Sequence, residues 1–169
     1  LHKILKNTLG NHVSQRGSYV ADKMLRFDST HNKALTKDQI VKIEQDINQI
    51  ICKNHMVKTN IMSLDEAKNS GAEALFGEKY DDKVRVVTMG ENDLSNELCG
   101  GTHVNRVGDI GSFKIISEGS IASGIRRIEA ITGQEVLSYM QKQQDILSQI
   151  EDLLKSPANE LLDNVTNLL

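Results

Sequence analysis

Thr36-Lys37-Asp38-Gln39-Ile40-Val41-Lys42-Ile43-Glu44-Gln45-Asp46-Ile47-Asn48-Gln49-Ile50-Ile51-Cys52-Lys53-Asn54 is the stretch around which the chain can be ordered. Ile40, Ile43, Ile47, Ile50 and Ile51 recur at intervals of three and four, which places them on one stripe of an α-helix. Thr36 with Gln39 forms a capping-box pattern at the start. Such a helix needs an apolar surface to lie on, and its flanks supply short β-type runs. Ser18-Tyr19-Val20 and Met24-Leu25-Arg26-Phe27 precede it, separated by polar turn residues. Val57 to Met62 follows as a strand. Ser63 with Glu66 then caps a short helix from Leu64 to Gly71. Lys83 to Met89 is a strand centred on Val84, Val86 and Val87. Phe113 to Ser117 and Ile125 to Ile131 are two more, the last with Arg126 and Glu129 breaking its apolar run. The pattern predicts an α+β fold, an antiparallel sheet with packed helices on one side.

The ends differ from the middle. Leu1, Ile4, Leu5 and Leu9 have helical spacing, and Gly10 is a suitable stop. This opening reads as the last turns of a helix begun upstream, and the chain as a fragment. From Gln134 the period is helical throughout, with Val136, Leu137, Met140, Ile146 or Leu147, Ile150, Leu153 and Leu154 as apolar positions. Ser156-Pro157 interrupts it before Leu161, Leu162, Val165 and Leu168 resume. The apolar stripe is narrow, which suits a helix that packs on a partner segment. The predicted organisation is a domain over 1–133 and a helical extension over 134–169.

The chain has 169 residues, 38% of them apolar and 25% charged, the balance of a soluble globular domain. Aromatics are 4% and the net charge is −3, so any RNA contact rests on a local basic patch rather than on bulk charge or stacking platforms. No apolar run approaches the roughly 20 residues that span a bilayer. Two cysteines, Cys52 and Cys99, are too few for a disulfide framework, which points to the cytoplasm.

The sharpest chemical feature is Cys99-Gly100-Gly101-Thr102-His103. Thiolate and imidazole are side chains that zinc prefers, and the four-residue spacing lets both reach one ion if the segment turns helically. The two glycines let the backbone approach a ligand and expose N–H donors. The plain alternative is a packed cysteine and a capping histidine, since two ligands do not complete a tetrahedral site. Cys52 reads as a packing residue, and His12, His31 and His55 as histidines without ligand-type neighbours. Lys3, Lys6, Arg16 and Lys114 read singly as solvated charges.

Several stretches together resemble the editing domain of alanyl-tRNA synthetases. They are Val13-Ser14-Gln15-Arg16-Gly17-Ser18, Leu25-Arg26-Phe27-Asp28, Ala74-Leu75-Phe76-Gly77-Glu78-Lys79-Tyr80, Glu97-Leu98-Cys99-Gly100-Gly101-Thr102-His103 and Arg126-Arg127-Ile128-Glu129-Ala130-Ile131-Thr132-Gly133. The run ending at Tyr80 favours the synthetase over the freestanding editing proteins that share the other motifs. The resemblance implies hydrolysis of serine or glycine wrongly esterified to alanine tRNA, within an ATP-dependent ligase whose other domains are partners. It also implies a zinc ion on Cys99 and His103 together with an upstream H-x-x-x-H pair. With Lys6 four positions after it, His2 is not part of that pair, so two ligands are expected here, with weak or absent zinc binding. Gln15 resembles a position facing the editing pocket, and Gly100, Gly101 and Thr102 are candidates for oxyanion stabilisation and hydroxyl recognition. Arg126 and Arg127 are candidates for the tRNA acceptor end, one on each face of their strand. The competing expectation is a non-catalytic tRNA-docking module.

Overall fold

The computed structural model describes residues 1–73, 80–90 and 94–168. Leu75 to Lys79 and Ala74 of the Ala-Leu-Phe-Gly-Glu-Lys-Tyr motif lie outside the described residues. The chain divides into two compact units, Leu1–Gly133 and Gln134–Leu169.

The first unit begins with helix α1 (His2–Leu9), stopped at Gly10, whose φ of 115° is open to glycine. Strands β1 (Gln15–Val20) and β2 (Leu25–Thr30) follow, then helix α2 (Lys37–Lys53). The α2 capping box is formed: Gln39 N donates to Thr36 Oγ1 at 3.2 Å and Thr36 N donates to Gln39 Oε1 at 2.9 Å. Such a cap contributes about 1 kcal/mol. Asn54 closes the helix in the left-handed conformation, φ 52°. Strand β3 (Lys58–Ser63) leads into helix α3 (Leu64–Asn69), capped by Ser63 and Glu66. Strands β4 (Lys83–Met89), β5 (Ser95–Leu98), β6 (Phe113–Ala122) and β7 (Ile125–Thr132) complete the unit, with a 3-10 turn at Val107–Ile110.

The expected single sheet is two sheets, both antiparallel. One has the order β1-β2-β7-β6, the other β3-β4-β5. Helices α1 and α2 cover one face of the four-stranded sheet. Ile4, Leu5, Ile43, Ile47 and Ile51 from the helices meet Phe27, Phe113, Ile115, Ile128 and Ala130 from the strands. Complete burial of a side chain such as Leu5 or Ile43, both 0% exposed, contributes about 1.5–3 kcal/mol. A smaller core under the three-stranded sheet joins Ala67 of α3 to Val84, Val86 and Leu98.

Strand β5 was not legible, because Ser-Asn-Glu-Leu has no strand propensity. It forms because β4 offers its ladder on one side and Glu73 on the other, where Leu98 N donates to Glu73 O at 2.9 Å. Strand β6 runs to Ala122, beyond the expected Ser117, because its polar second half pairs with β7 through two register shifts. Cys52 is exposed rather than packed, since α2 turns Ile51 inward and its neighbour outward.

The second unit consists of helix α4 (Gln134–Leu154), a 3-10 turn at Ala158–Glu160 and helix α5 (Leu161–Leu168). Around Ser156-Pro157, Ser156 Oγ accepts from Asn164 Nδ2 at 2.6 Å, and Ala158 N donates to Glu151 Oε1 at 2.6 Å.

Leu5→Ala is expected to cost about 2–5 kcal/mol of folding stability. Urea denaturation measures it, and a loss below about 1 kcal/mol would contradict the placement of Leu5 in the centre of the core.

Candidate functional site

Cys99 leaves the end of β5 and enters a loop without helical turns that runs to Val104. The helical geometry that four-residue spacing suggested for Cys99 and His103 is therefore not formed. Two glycines in succession disfavour it, and the ladder of β5 fixes the direction in which the chain departs. The loop is anchored at both ends. Cys99 N donates to Arg85 O at 3.1 Å, and beyond the loop Val57 N donates to Asn105 O at 2.9 Å.

Arg85 of β4 holds the middle. Its Nη1 donates to Cys99 O at 2.8 Å and to Gly101 O at 2.7 Å. The Cys99 thiol is free and half-buried. His103 is half-buried, and its Nε2 is shielded from solvent with no hydrogen-bond partner among the described residues. Burial, and then the positive charge of Arg85, lower the His103 pKa below its ordinary value, while Glu97 opposes them. The shift favours the neutral imidazole, the state in which it ligates a metal or accepts a proton.

Zinc fits these two donors in type: a thiol and a neutral imidazole with an unsatisfied buried nitrogen. Among the described residues, no group of three or more His, Cys, Asp or Glu side chains converges as a metal site.

Beside the loop stands a charged cluster that sequence reasoning missed. Glu97 of β5 pairs with Val87 on the face opposite Leu98 and α3. Glu97 Oε1 lies 3.8 Å from His2 Nδ1 and accepts from Ser95 Oγ at 3.0 Å. Glu73 Oε2 accepts from Lys6 Nζ at 2.6 Å and lies 3.5 Å from His2 Nδ1. Lys6 is therefore an ion-pair partner, not a solvated charge. His2 and Lys6 sit four apart on α1, so one helical face presents both to the carboxylates. That spacing was the only available signal, and nothing in sequence paired it with Glu73 or Glu97.

The remaining candidates lie on the four-stranded sheet. Gln15 begins β1 at a bulge, and its Nε2 donates to Ser18 Oγ at 3.0 Å. Arg126 and Arg127 of β7 face opposite sides, as their adjacency requires. Arg126 donates through Nε and Nη2 to Glu118 of β6, whose second oxygen also accepts from Leu35 N at 3.2 Å. Arg127 makes the equivalent fork with Asp28 of β2, at 2.7 and 2.8 Å. Lys114 is likewise bonded, to Glu44 at 2.9 Å. Among the described residues no hydrogen bond joins Gln15, Arg126 or Arg127 to the Cys99 loop. His12 and His31 do have a ligand-type neighbour, each other: Nε2 of His12 lies 2.8 Å from Nδ1 of His31, with the rings stacked.

Residues 84–129 match the family described as the threonyl and alanyl tRNA synthetase second additional domain. The match begins at the strand that carries Arg85 and ends on β7. Along its whole length the chain is 54% identical to the alanine–tRNA ligase of Rickettsia bellii, and 53% identical to that of Rickettsia felis. Over 168 residues, 99% of the chain, it is 55% identical to the alanine–tRNA ligase of Haemophilus influenzae. In each case the chain spans 19% of the relative's length.

The Arg127 fork holds the Asp28 pKa below its ordinary 3.8, chiefly through the hydrogen bonds and secondarily through charge. A carboxylate depressed in this way adds stability at pH values above its unfolded pKa and loses it as pH falls through the folded one. Asp28→Asn is therefore expected to flatten the loss of stability on acidification below about pH 4. Urea midpoints from pH 6 to pH 2 test this; parallel curves for the two proteins would show that the fork contributes nothing.

Proposed function

We propose that the chain, 54% identical to a segment of an alanine–tRNA ligase and matching the second additional domain over residues 84–129, is an editing segment, hydrolysing serine or glycine wrongly esterified to alanine tRNA. The observation that carries this reading is the Cys99–His103 loop, which carries a free thiol, an imidazole with an orphaned buried nitrogen and unblocked glycines. A structural loop has no need of that combination. The setting is the cytoplasm, and the partner is the acceptor end of the tRNA.

Ester hydrolysis needs a nucleophilic water, donors for the developing oxyanion, and a means of sorting amino acids. Cys99 and His103 would hold a zinc ion together with ligands from elsewhere in the ligase, and bound zinc polarises an oxygen or orients an amine. The amides of Gly100, Gly101 and Thr102 supply oxyanion donors. Gln15 is proposed to bond the substrate through its amide, whose Oε1 and second N–H are left over from the hydrogen bond to Ser18. Serine differs from alanine by a hydroxyl, so discrimination rests on a hydrogen bond to that group, and Thr102 is the candidate. A site built to pair with a hydroxyl rejects the analogue that lacks it far better than a size filter does.

Arg126 and Arg127 are proposed to contact phosphates of the acceptor end. Each already shares its charge with a carboxylate. What remains is the guanidinium edge not used in the fork, which fixes geometry more than it attracts.

A second reading, a docking module without catalysis, is favoured because no group of three or more metal-type side chains converges among the described residues. Serine-charged alanine tRNA separates the two. An alanine–tRNA ligase carrying this sequence is expected to release serine, and the 169-residue chain to do so more slowly. Tight tRNA binding with an ester that survives in both would sink the hydrolase and leave the docking module. In the same ligase, Cys99→Ala is expected to lower bound zinc, read by metal analysis after dialysis; unchanged zinc would refute the ligand role of Cys99.

A further inference from the structure

The Arg85 guanidinium lies under the Cys99 loop and spends both hydrogens of one nitrogen on it. Nη1 reaches the carbonyl oxygens of Cys99 and Gly101, at 2.8 and 2.7 Å, skipping the one between. Among the described residues no peptide bond is cis. In a trans peptide plane the N–H of one residue is antiparallel to the carbonyl of the residue before it. A Cys99 carbonyl aimed at Arg85 therefore aims the Gly100 N–H away from it. The Gly101 carbonyl does the same for the Thr102 N–H.

Neither amide has a hydrogen-bond partner among the described residues, and Gly100, Gly101 and Thr102 are all exposed. Neither Gly100 nor Gly101 is among the glycines with positive φ, so the backbone path does not require glycine at either position. What the missing side chains provide is room. A Cβ on Gly100 would meet nothing within 4 Å.

We infer that Arg85 is a positioning residue that turns the Gly100 and Thr102 amides outward as a paired oxyanion site. This rests on the reading of the segment as an aminoacyl-ester hydrolase. It also refines that reading, since the paired donors are Gly100 and Thr102, not Gly100 and Gly101. In the step they serve, the oxygen of water bonds to the ester carbonyl carbon, and the carbonyl π pair moves onto the oxygen held by the two N–H groups. Collapse restores the carbonyl and breaks the bond to the ribose oxygen. That oxygen takes one proton from the attacking water, and the other proton is lost to solvent from the released carboxyl group.

The expected signature is a split between kinetic constants, because these donors act on charge that appears only in the transition state. In an alanine–tRNA ligase carrying this sequence, Arg85→Met should lower kcat on serine-charged alanine tRNA by about 10²-fold, the order seen when an oxyanion donor is lost, with KM nearly unchanged. Arg85→Lys should recover part of it, since an ammonium still donates to a carbonyl. An unchanged kcat, or a loss carried by KM, would overturn the proposal. A second arm needs no turnover. In 15N-labelled 169-residue chain, inorganic phosphate should shift the Gly100 and Thr102 amides together, and Arg85→Met should abolish that response while the Val86 and Leu98 amides, in the β4–β5 ladder, stay in place. Absence of the paired response in the unsubstituted chain, or its persistence in Arg85→Met, overturns the anion site. Failure of the unsubstituted ligase to release serine counts against the hydrolase reading alone.

Discussion

Helix α1 is held by two unlike interactions, and the arrangement of the first unit depends on their acting together. Ile4 and Leu5 bury themselves against Phe27, Ile128 and the isoleucines of α2. His2 and Lys6 reach instead to Glu73 and Glu97, at the edge of the other sheet. The His2 ring also lies 5.7 Å from that of Phe27, so one residue touches elements of both sheets. Apolar burial gives α1 its energy but little directional preference. The polar contacts are half-buried and contribute less, but they are directional, and the one from His2 to Glu97 sets which part of β5 stands opposite the helix. Because Cys99 is the residue after β5, whatever fixes Glu97 also fixes where the site loop begins.

The two sheets place charge differently. The four-stranded sheet keeps Arg127 paired with Asp28 on one face and Arg126 paired with Glu118 on the other, so it carries formal charges in neutral couples. In the three-stranded sheet, Arg85 makes no hydrogen bond to a carboxylate among the described residues and donates instead to carbonyl oxygens. A guanidinium that bonds carbonyls keeps its full positive charge. That charge is felt by His103, whose pKa it helps to lower. One side chain thus acts on the loop twice, through geometry on its backbone and through electrostatics on its imidazole.

Most helices and the longer strands were legible, because each is announced by local chemistry. Thr36 with Gln39 and Ser63 with Glu66 both form the caps that their spacing predicts, and the isoleucine stripe of α2 faces the core. The second sheet was not legible, since β5 owes its existence to neighbours rather than to Ser-Asn-Glu-Leu itself. For the site, Cys99 and His103 stood out because metal chemistry restricts residue type. Arg85 did not. Its partners are main-chain oxygens 14 and 16 residues away, and any loop sequence has such oxygens. The pairing of Arg26-Phe27-Asp28 with Arg127-Ile128-Glu129 was equally hidden until the antiparallel register set Asp28 opposite Arg127.

The charge balance bears on how such a segment would meet RNA. A net charge of −3, with both β7 arginines already neutralised, gives the chain little long-range attraction for a polyanion. Phosphate contacts through the free edges of Arg126 and Arg127 release few counterions, since each guanidinium brings a carboxylate with it. On the proposed reading, affinity for tRNA therefore comes from elsewhere in the ligase, and this segment contributes alignment. That division suits an editing site. A wrongly charged acceptor end that arrives on a tether needs to be recognised by its amino acid, not captured by its backbone. Weak intrinsic attraction also lets a correctly charged end leave without hydrolysis. On the same reading, main-chain donors held in place by the half-buried Arg85 would offer partial charges at short range to the reacting carbonyl.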